Sequence, residues 1–184
     1  TNDDEVRARF EPAYEEFGKL QHIEDLKMLP KAWGNDYLKD EETDALNVDW
    51  SLLDTNATEL GDDHYILNAE ENYFLYAFPE NQDGSEIPFL RITVRDESGS
   101  EEPLKFQGVV YFMDEGKGVK EAHRFTFDGS EGSFLIPLTT SPYWSYSDQI
   151  QSMMLDFISG SLEGKQVSIE TEFETLKPLE EQKK

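Results

Sequence analysis

Alternation of apolar and polar residues, the pattern of a half-buried β-strand, runs through the chain from about residue 64 onward. It is cleanest near the C-terminus, where Val167, Ile169, Thr171 and Phe173 alternate with serine and glutamate. Similar short runs, separated by turn-rich segments, occur at 64–67, 71–78, 88–96, 106–113, 123–129, 134–138 and 150–157. Leu90, Ile92 and Val94 are expected on one face of the run 88–96, and Phe125 and Phe127 are expected to point inward in the run 123–129. Short strands at this spacing predict a mainly β fold, an antiparallel jelly-roll β-sandwich.

The stretch 132–176 is expected to supply three consecutive strands joined by short connections, with no helix between them. In the segment 71–78 both alternating sets are apolar, since Tyr73, Leu75 and Ala77 oppose Phe74, Tyr76 and Phe78. That pattern is interpreted as a strand at the centre of two packed layers.

Residues 1–29 follow a different periodicity. Val6, Phe10, Ala13, Phe17 and Leu20 form one apolar stripe of a helix. This N-terminal helix either packs across the sandwich or serves as an exposed partner-binding element. The expected organisation is a helical segment 1–29, a β-sandwich domain 30–176 with regular strands from about 64, and a polar tail 177–184.

Composition restricts the partners. The chain of 184 residues carries 40 acidic and 16 basic side chains, a formal charge of −24, and no cysteine. Such a charge repels nucleic acid and anionic membrane surfaces. A heavily solvated acidic surface is the default explanation of the charge, and a salt-adapted source would produce the same bias. No apolar run approaches the roughly 20 residues that cross a bilayer. The chain could still be part of a larger membrane-anchored protein.

The order of these features resembles the galactose-binding-domain-like jelly rolls of carbohydrate-binding modules and of appended domains in bacterial polysaccharide-assembly proteins. The matching segments include the tyrosine-rich strand 71–78, FLRITVRD at 89–96, VVYFM at 109–113 and IQSMMLDF at 150–157, the last expected to pair with the strand at 164–174. The resemblance covers about residues 60–176 and implies a sugar-binding role through loops at one edge of the sandwich. Asp156 stands where an aspartate is expected in that family.

Aromatic side chains in a loop are the candidate binding site. Tyr143, Trp144 and Tyr146 lie in the segment PYWSYSD, and sugar rings stack their C–H faces on such rings. Asp148 and Gln149 are expected to bind sugar hydroxyl groups. The alternative is that Trp144 caps the end of the core. Trp33, Tyr37 and Trp50 form a possible second cluster, with the same structural alternative.

Acidic turns are candidates for a structural calcium ion, which takes oxygen ligands. Asn81, Asp83 and Glu86 bracket Gly84 in one such turn, and solvated side chains are the competing interpretation. No other cofactor is expected. The three histidines, His22, His64 and His123, show no metal-ligand spacing, and Asn56-Ala57-Thr58 is a short match to a glycosylation sequon.

Nothing in the sequence supports an enzyme, because paired carboxylates are uninformative among so many acids and no nucleophile or phosphate-binding motif is present. The leading hypothesis is a non-catalytic carbohydrate-binding or polysaccharide-associated module of the cell envelope, extracytoplasmic or secreted. The alternative is a protein-interaction or scaffold domain whose partner is an envelope protein. A hydrolase or lyase is the third hypothesis. The expected partners are therefore a glycan or an envelope protein.

Overall fold

A computed structural model describes residues 43–116, 118, 120, 122–159 and 161–178. In these residues eleven strands form: β1 (Thr43–Ala45), β2 (Ser51–Thr55), β3 (Thr58–Gly61), β4 (His64–Ile66), β5 (Glu71–Gln82), β6 (Phe89–Asp96), β7 (Lys105–Asp114), β8 (Arg124–Ser130), β9 (Gly132–Pro137), β10 (Ile150–Ile158) and β11 (Gln166–Leu176). One helical turn, α1 (Pro142–Ser145), and two 3₁₀ turns, Gly84–Glu86 and Leu138–Thr140, complete the elements.

The strands make two antiparallel sheets. A five-stranded sheet has the order β2-β5-β10-β7-β8, and a six-stranded sheet has the order β3-β4-β11-β6-β9 with β1 also paired to β11. The predicted fold class, a mainly β antiparallel sandwich, is confirmed. The predicted helix at 1–29 and the tail from residue 179 lie outside the described residues.

Alternation along each strand directs one set of side chains into the space between the sheets. In β6, Leu90, Ile92 and Val94 are at most 2% exposed, and in β8 Phe125 and Phe127 point inward, as predicted. Aromatic rings dominate the interior: Phe106 meets the ring of Phe157 edge-on at 4.9 Å. Such edge-to-face pairs suit the quadrupoles of aromatic rings and fix their orientation.

Three expectations about the strands were wrong. No helix was expected within 132–176, but a 3₁₀ turn and α1 lie between β9 and β10. Strands begin at Thr43, with β1, β2 and β3 all preceding residue 64. The segments 150–157 and 164–174 do not pair, because β10 lies between β5 and β7 whereas β11 lies between β4 and β6 in the other sheet. The turn between them crosses from one sheet to the other, and its Leu162 is fully buried. Periodicity identifies a strand but does not identify its partners.

Trp50, one member of the possible second aromatic cluster, belongs to the core. Its ring stacks on Tyr76 with centroids 4.2 Å apart and meets Phe173 edge-on at 4.7 Å. Trp33 and Tyr37 lie outside the described residues. No helix in the described part of the chain has the length and hydropathy needed to span a bilayer.

A buried ion pair ties three strands together on the outer side of the six-stranded sheet. Arg91 donates to both carboxylate oxygens of Glu174, at 2.6 Å from Nε and 3.1 Å from Nη2. The hydroxyl of Thr43 donates to Oε1 of the same carboxylate at 2.6 Å. The Glu174 side chain is only 4% exposed, so its charge depends on these donors.

Replacing Glu174 by alanine should therefore destabilise the fold, because the mostly buried Arg91 guanidinium loses its carboxylate. The expected loss is about 3 kcal/mol in the free energy of unfolding. Urea denaturation measures it. Glu170→Ala, an exposed glutamate on the same strand, is the control and should change stability by less than about 0.5 kcal/mol. Equal effects of the two substitutions would contradict the role of the ion pair.

Candidate functional site

The outer face of the five-stranded sheet gathers side chains from all five strands. Because partners in an antiparallel ladder lie side by side, the register arranges outward-facing residues in rows. One row contains Asp54, Leu75, Met154, Tyr111 and Arg124, and the next contains Tyr73, Asp156, Val109 and Thr126. Ala77, Ser152 and Met113 form a row on one side of these, and Glu71, Ile158, Gln107 and Asp128 form a row on the other.

The middle of this outer face is apolar. Tyr73, Leu75, Tyr111, Met113 and Met154 are all partly exposed there. A solvated sheet face ordinarily carries polar residues at these positions. A contiguous apolar strip with polar neighbours is a common property of ligand-binding surfaces.

Polar side chains flank the strip on both sides. At the β2 edge the Tyr73 hydroxyl donates to Oδ2 of Asp54 at 3.0 Å, and this hydrogen bond raises the pKa of Tyr73 above its usual value. At the β8 edge Arg124 stands beside Tyr111, and Asp128 stands beside Gln107. The outer face therefore offers carboxylate acceptors and a guanidinium donor around aromatic and thioether side chains.

Asp156 lies in the central strand of this face and is only 6% exposed. Its Oδ1 atom is buried and has no hydrogen-bond partner among the described residues. Burial, together with a hydrogen bond to the adjacent Glu71 and the negative charge of that residue, raises the pKa of this carboxyl group to about 7. A buried acid of this kind is uncommon and marks a functional candidate.

A recess of about 510 Å³ continues the outer face beyond Asp156. It lies at the end of the sheet where β7 begins and where β8 and β10 end. Its lining consists of Lys105, Phe106, Gln107, Asp128, Gly129, Ser130, Ile158 and Ser159. The recess is shallow and open to solvent. Together the strip and the recess form one surface parallel to the strands.

Trp144 does not belong to that surface, which corrects its expected role as a stacking platform. Its side chain is fully buried, its Nε1 donates to the Ile87 carbonyl at 2.9 Å, and its ring meets Phe112 edge-on at 5.2 Å. Gly84 allows the close approach, since a Cβ atom there would stand 1.9 Å from the Trp144 carbonyl oxygen. Trp144 closes the end of the core, the structural alternative stated for it.

The other predicted site residues are dispersed around that end. Tyr143 is partly buried, with its ring 5.2 Å from that of His123, whereas Tyr146 is 55% exposed. Asp148 and Gln149 are exposed, and the Gln149 carbonyl accepts from the Glu115 amide at 2.8 Å. A ligand role for Tyr143, Tyr146, Asp148 and Gln149 stays a prediction.

The turn expected to bind calcium uses its polar groups internally. Asp83 accepts from the amide and the hydroxyl of Ser85, at 2.9 and 2.6 Å, and Asn81 donates to Glu115 at 2.7 Å. Glu86 is exposed. The described residues contain no group of three or more histidine, cysteine, aspartate or glutamate side chains that could hold a metal ion.

The sequon asparagine also has a structural role. Asn56 donates from Nδ2 to the Glu71 carbonyl and accepts at Oδ1 from the Tyr73 amide, both at 2.9 Å. Its amide therefore joins the loop after β2 to β5. Of the histidines, His64 is partly exposed, His123 is buried against the Phe112 ring at 4.6 Å, and His22 lies outside the described residues.

The sequence interpretation overlooked Tyr73, Tyr111, Met154 and Asp156 as members of one site. A signal was present for Tyr73, because both alternating sets of the run 71–78 are apolar. The set that contains Tyr73 was assigned to a second packed layer, whereas in the structure it lies on a partly exposed face. Their proximity depends on the strand order and could not be derived from periodicity.

Comparisons with known proteins agree with this architecture. No family model and no curated protein matches the chain. Among solved structures, a low-affinity xylan-binding module, CBM86, from Roseburia intestinalis is similar with a TM-score of 0.48 and 14% identity, covering 73% of this chain and 96% of the module. A family 11 carbohydrate-binding module from Clostridium thermocellum, solved with a β-1,3-1,4-linked tetrasaccharide, has a TM-score of 0.42 and 10% identity, covering 80% and 97%.

The chain thus resembles carbohydrate-binding modules, as the sequence predicts, with TM-scores below 0.5 and 10–14% identity. A likeness at this level assigns no residue of this chain to a role.

Trp144→Phe should reduce stability, because the Ile87 carbonyl loses its buried donor and the smaller ring leaves a gap. The expected cost is about 1–3 kcal/mol in the free energy of unfolding. Chemical denaturation measures it, with Tyr146→Phe as the matched exposed control. Unchanged stability of Trp144→Phe would show that the indole does not close the core.

Asp156→Asn should change how stability depends on pH. The native pKa of about 7 exceeds the unfolded value of 3.8, so the stabilising contribution of the protonated acid is complete below 3.8 and is lost as pH rises to 7. Because asparagine does not titrate, the Asp156→Asn variant does not lose stability in this way as pH rises. Its melting temperature minus that of the parent protein should therefore rise between pH 4 and pH 7 and then level off. Asp148→Asn is the exposed control, and a difference independent of pH for Asp156→Asn contradicts the assignment.

Proposed function

We propose that this domain is a non-catalytic carbohydrate-binding module and that its ligand is a neutral glycan lying along the outer face of the five-stranded sheet. The observation that carries the proposal is the strip of partly exposed Tyr111, Met154 and Leu75 bordered by Asp54 and Arg124. This combination matches the two-sided chemistry of a sugar.

A pyranose ring presents C–H groups on its faces and hydroxyl groups around its edge. The C–H faces gain dispersion and quadrupole contacts with an aromatic ring such as Tyr111. The hydroxyls donate to carboxylates such as Asp54 and Asp128 and accept from Arg124. The recess beyond Ile158 would hold one further sugar at the end of the chain.

The charges of the face favour a neutral ligand. Asp54, Glu71, Asp128 and Asp156 supply acidic groups, against Arg124 in the same rows. The formal charge of −24 adds a long-range repulsion of anions. Uronate-rich or sulfated polysaccharides should therefore bind much more weakly than uncharged ones.

The geometry of the acids supports a binding role without turnover. Glycosidases hold two carboxyl groups about 5–9.5 Å apart, on opposite sides of the bond they cleave. Asp156 and Glu71 are instead diagonal neighbours on one face of the sheet, and Oδ1 of Asp156 is buried. This pair therefore does not present two accessible carboxyl groups on opposite sides of a glycosidic bond.

Such a module would act where polysaccharides occur, outside the cytoplasm, either secreted or as part of a cell-envelope protein. The alternative function, a protein-interaction or scaffold domain, depends on the acidic surface or on residues 1–29, which lie outside the described residues. No observation on the outer face favours an envelope protein over a glycan.

Tyr111→Ala should weaken glycan binding about tenfold through loss of the stacking contact. The measurement is affinity electrophoresis followed by calorimetry, with xylan and a β-1,3-1,4-glucan as the first neutral probes and polygalacturonate as an anionic one. Tyr146→Ala is the matched control, since it removes the same ring from the predicted loop site. Thermal unfolding of both variants checks that the fold persists.

Three outcomes decide the question. Loss of affinity in Tyr111→Ala alone supports the outer face. Loss in Tyr146→Ala alone moves the site to the loop around residues 143–149. No binding by the parent protein to any neutral glycan of a broad array contradicts the proposed function itself.

A further inference from the structure

Two carboxyl groups meet at the floor of the outer face. Asp156 of β10 stands opposite Tyr73, and Glu71 of β5 stands opposite Ile158, so the two acids are diagonal neighbours on the same face. This placement lets a protonated Asp156 donate to the Glu71 carboxylate, and that hydrogen bond and the charge of Glu71 both raise the pKa of Asp156. A proton held by Asp156 therefore lowers the repulsion between the two acids.

Burial separates the roles of these two groups. Glu71 is exposed at the surface, whereas Asp156 is 6% exposed and its Oδ1 atom has neither water contact nor a partner among the described residues. A ligand lying on the face can reach Glu71 but cannot reach Oδ1 of Asp156. An uncompensated charge on Asp156 is costly, because burial removes its hydration.

Few compensating charges face Asp156. Of the two strands beside β10 in the described structure, β5 presents Glu71 and Tyr73 on this face. On β7, Tyr111 lies in the next row, and Lys105 lies four residues before Val109, the ladder partner of Asp156. One strand further out, β8 presents Arg124 and Asp128, and β2 presents Asp54. The other outward residues of β10 are Ser152, Met154 and Ile158, none of which titrates. No cation is a direct ladder neighbour of Asp156 among these residues.

We propose that Asp156 and Glu71 act as a proton-sharing pair that couples glycan binding to pH, the protonated pair being the form that binds. This inference rests on the proposed function, since it regulates the same face. It goes beyond that function by assigning a proton to the bound state.

The physical reason is the solvation of the pair. When the shared proton is lost, two adjacent carboxylates repel each other and draw water to the floor of the face. A glycan that covers the face must remove that water, and it gains no contact with Oδ1 of Asp156 in return. Binding therefore favours the protonated pair, and affinity falls as pH rises through the transition of the pair, by at most tenfold per unit for one proton.

The first test needs no ligand. NMR titration of the side-chain carboxyl carbons in the ¹³C-labelled protein should show a transition of Asp156 near pH 7, coupled to Glu71. Glu71→Gln should move that transition downward, because the neighbouring negative charge is gone. Glu170→Gln, on the other sheet, should leave it unchanged. A transition of Asp156 below about pH 5 overturns the proton-sharing pair.

The second test measures affinity for the glycan that binds best at pH 6. Affinity of the parent protein should fall about threefold or more between pH 6 and pH 8.5, and Asp156→Asn should flatten this profile. Asp44→Asn, an exposed residue of β1, should keep the parent profile. A flat profile in the parent, with the NMR transition present, overturns the coupling but not the binding function. Absence of any glycan binding overturns the proposed function and leaves the NMR result as the test of the pair.

Discussion

Burial of one face of each sheet against the other is the interaction on which this structure depends. In β10, Met153, Leu155 and Phe157 enter the space between the sheets and are at most 3% exposed. Because side chains alternate along a strand, this placement forces Met154 and Asp156 to the outer side. The packing of the core thus decides which residues form the candidate site, and the rigid sheet holds them in place.

Two buried carboxylates of this protein show how their neighbours set their roles. The guanidinium of Arg91 neutralises the Glu174 carboxylate through two hydrogen bonds, and the hydroxyl of Thr43 donates a third, so Glu174 joins three strands with little contact with solvent. Asp156 has another acid, Glu71, as its neighbour and an oxygen without a partner. The first arrangement cross-links strands. In the second, a charge on Asp156 is unfavourable, and binding of a proton or of a ligand changes that electrostatic free energy.

The aromatic residues illustrate the same dependence on surroundings. Trp144 is fully buried with its ring against Phe112, and the partly buried Trp50 stacks on Tyr76 at the inner side of the sheet, so both contribute to stability. Tyr111 and Tyr73 keep part of their surface on the outer face and are free of such enclosure. Residue type alone therefore favours neither role. The side of the sheet on which a ring lies decides between them.

The sequence by itself determined the β-sandwich class, most strand positions after residue 64 and the inward residues of β6, β8 and β11, because period-two alternation is a local property. It did not determine that β10 and β11 lie in different sheets, that strands begin at Thr43, or that Trp144 is enclosed. Those features depend on strand order and on long-range contacts such as the hydrogen bond from Trp144 to Ile87. The outer face belongs to the same category: Asp156, Tyr73 and Tyr111 come from three strands far apart in sequence, and only the antiparallel register of β5, β10 and β7 places them side by side.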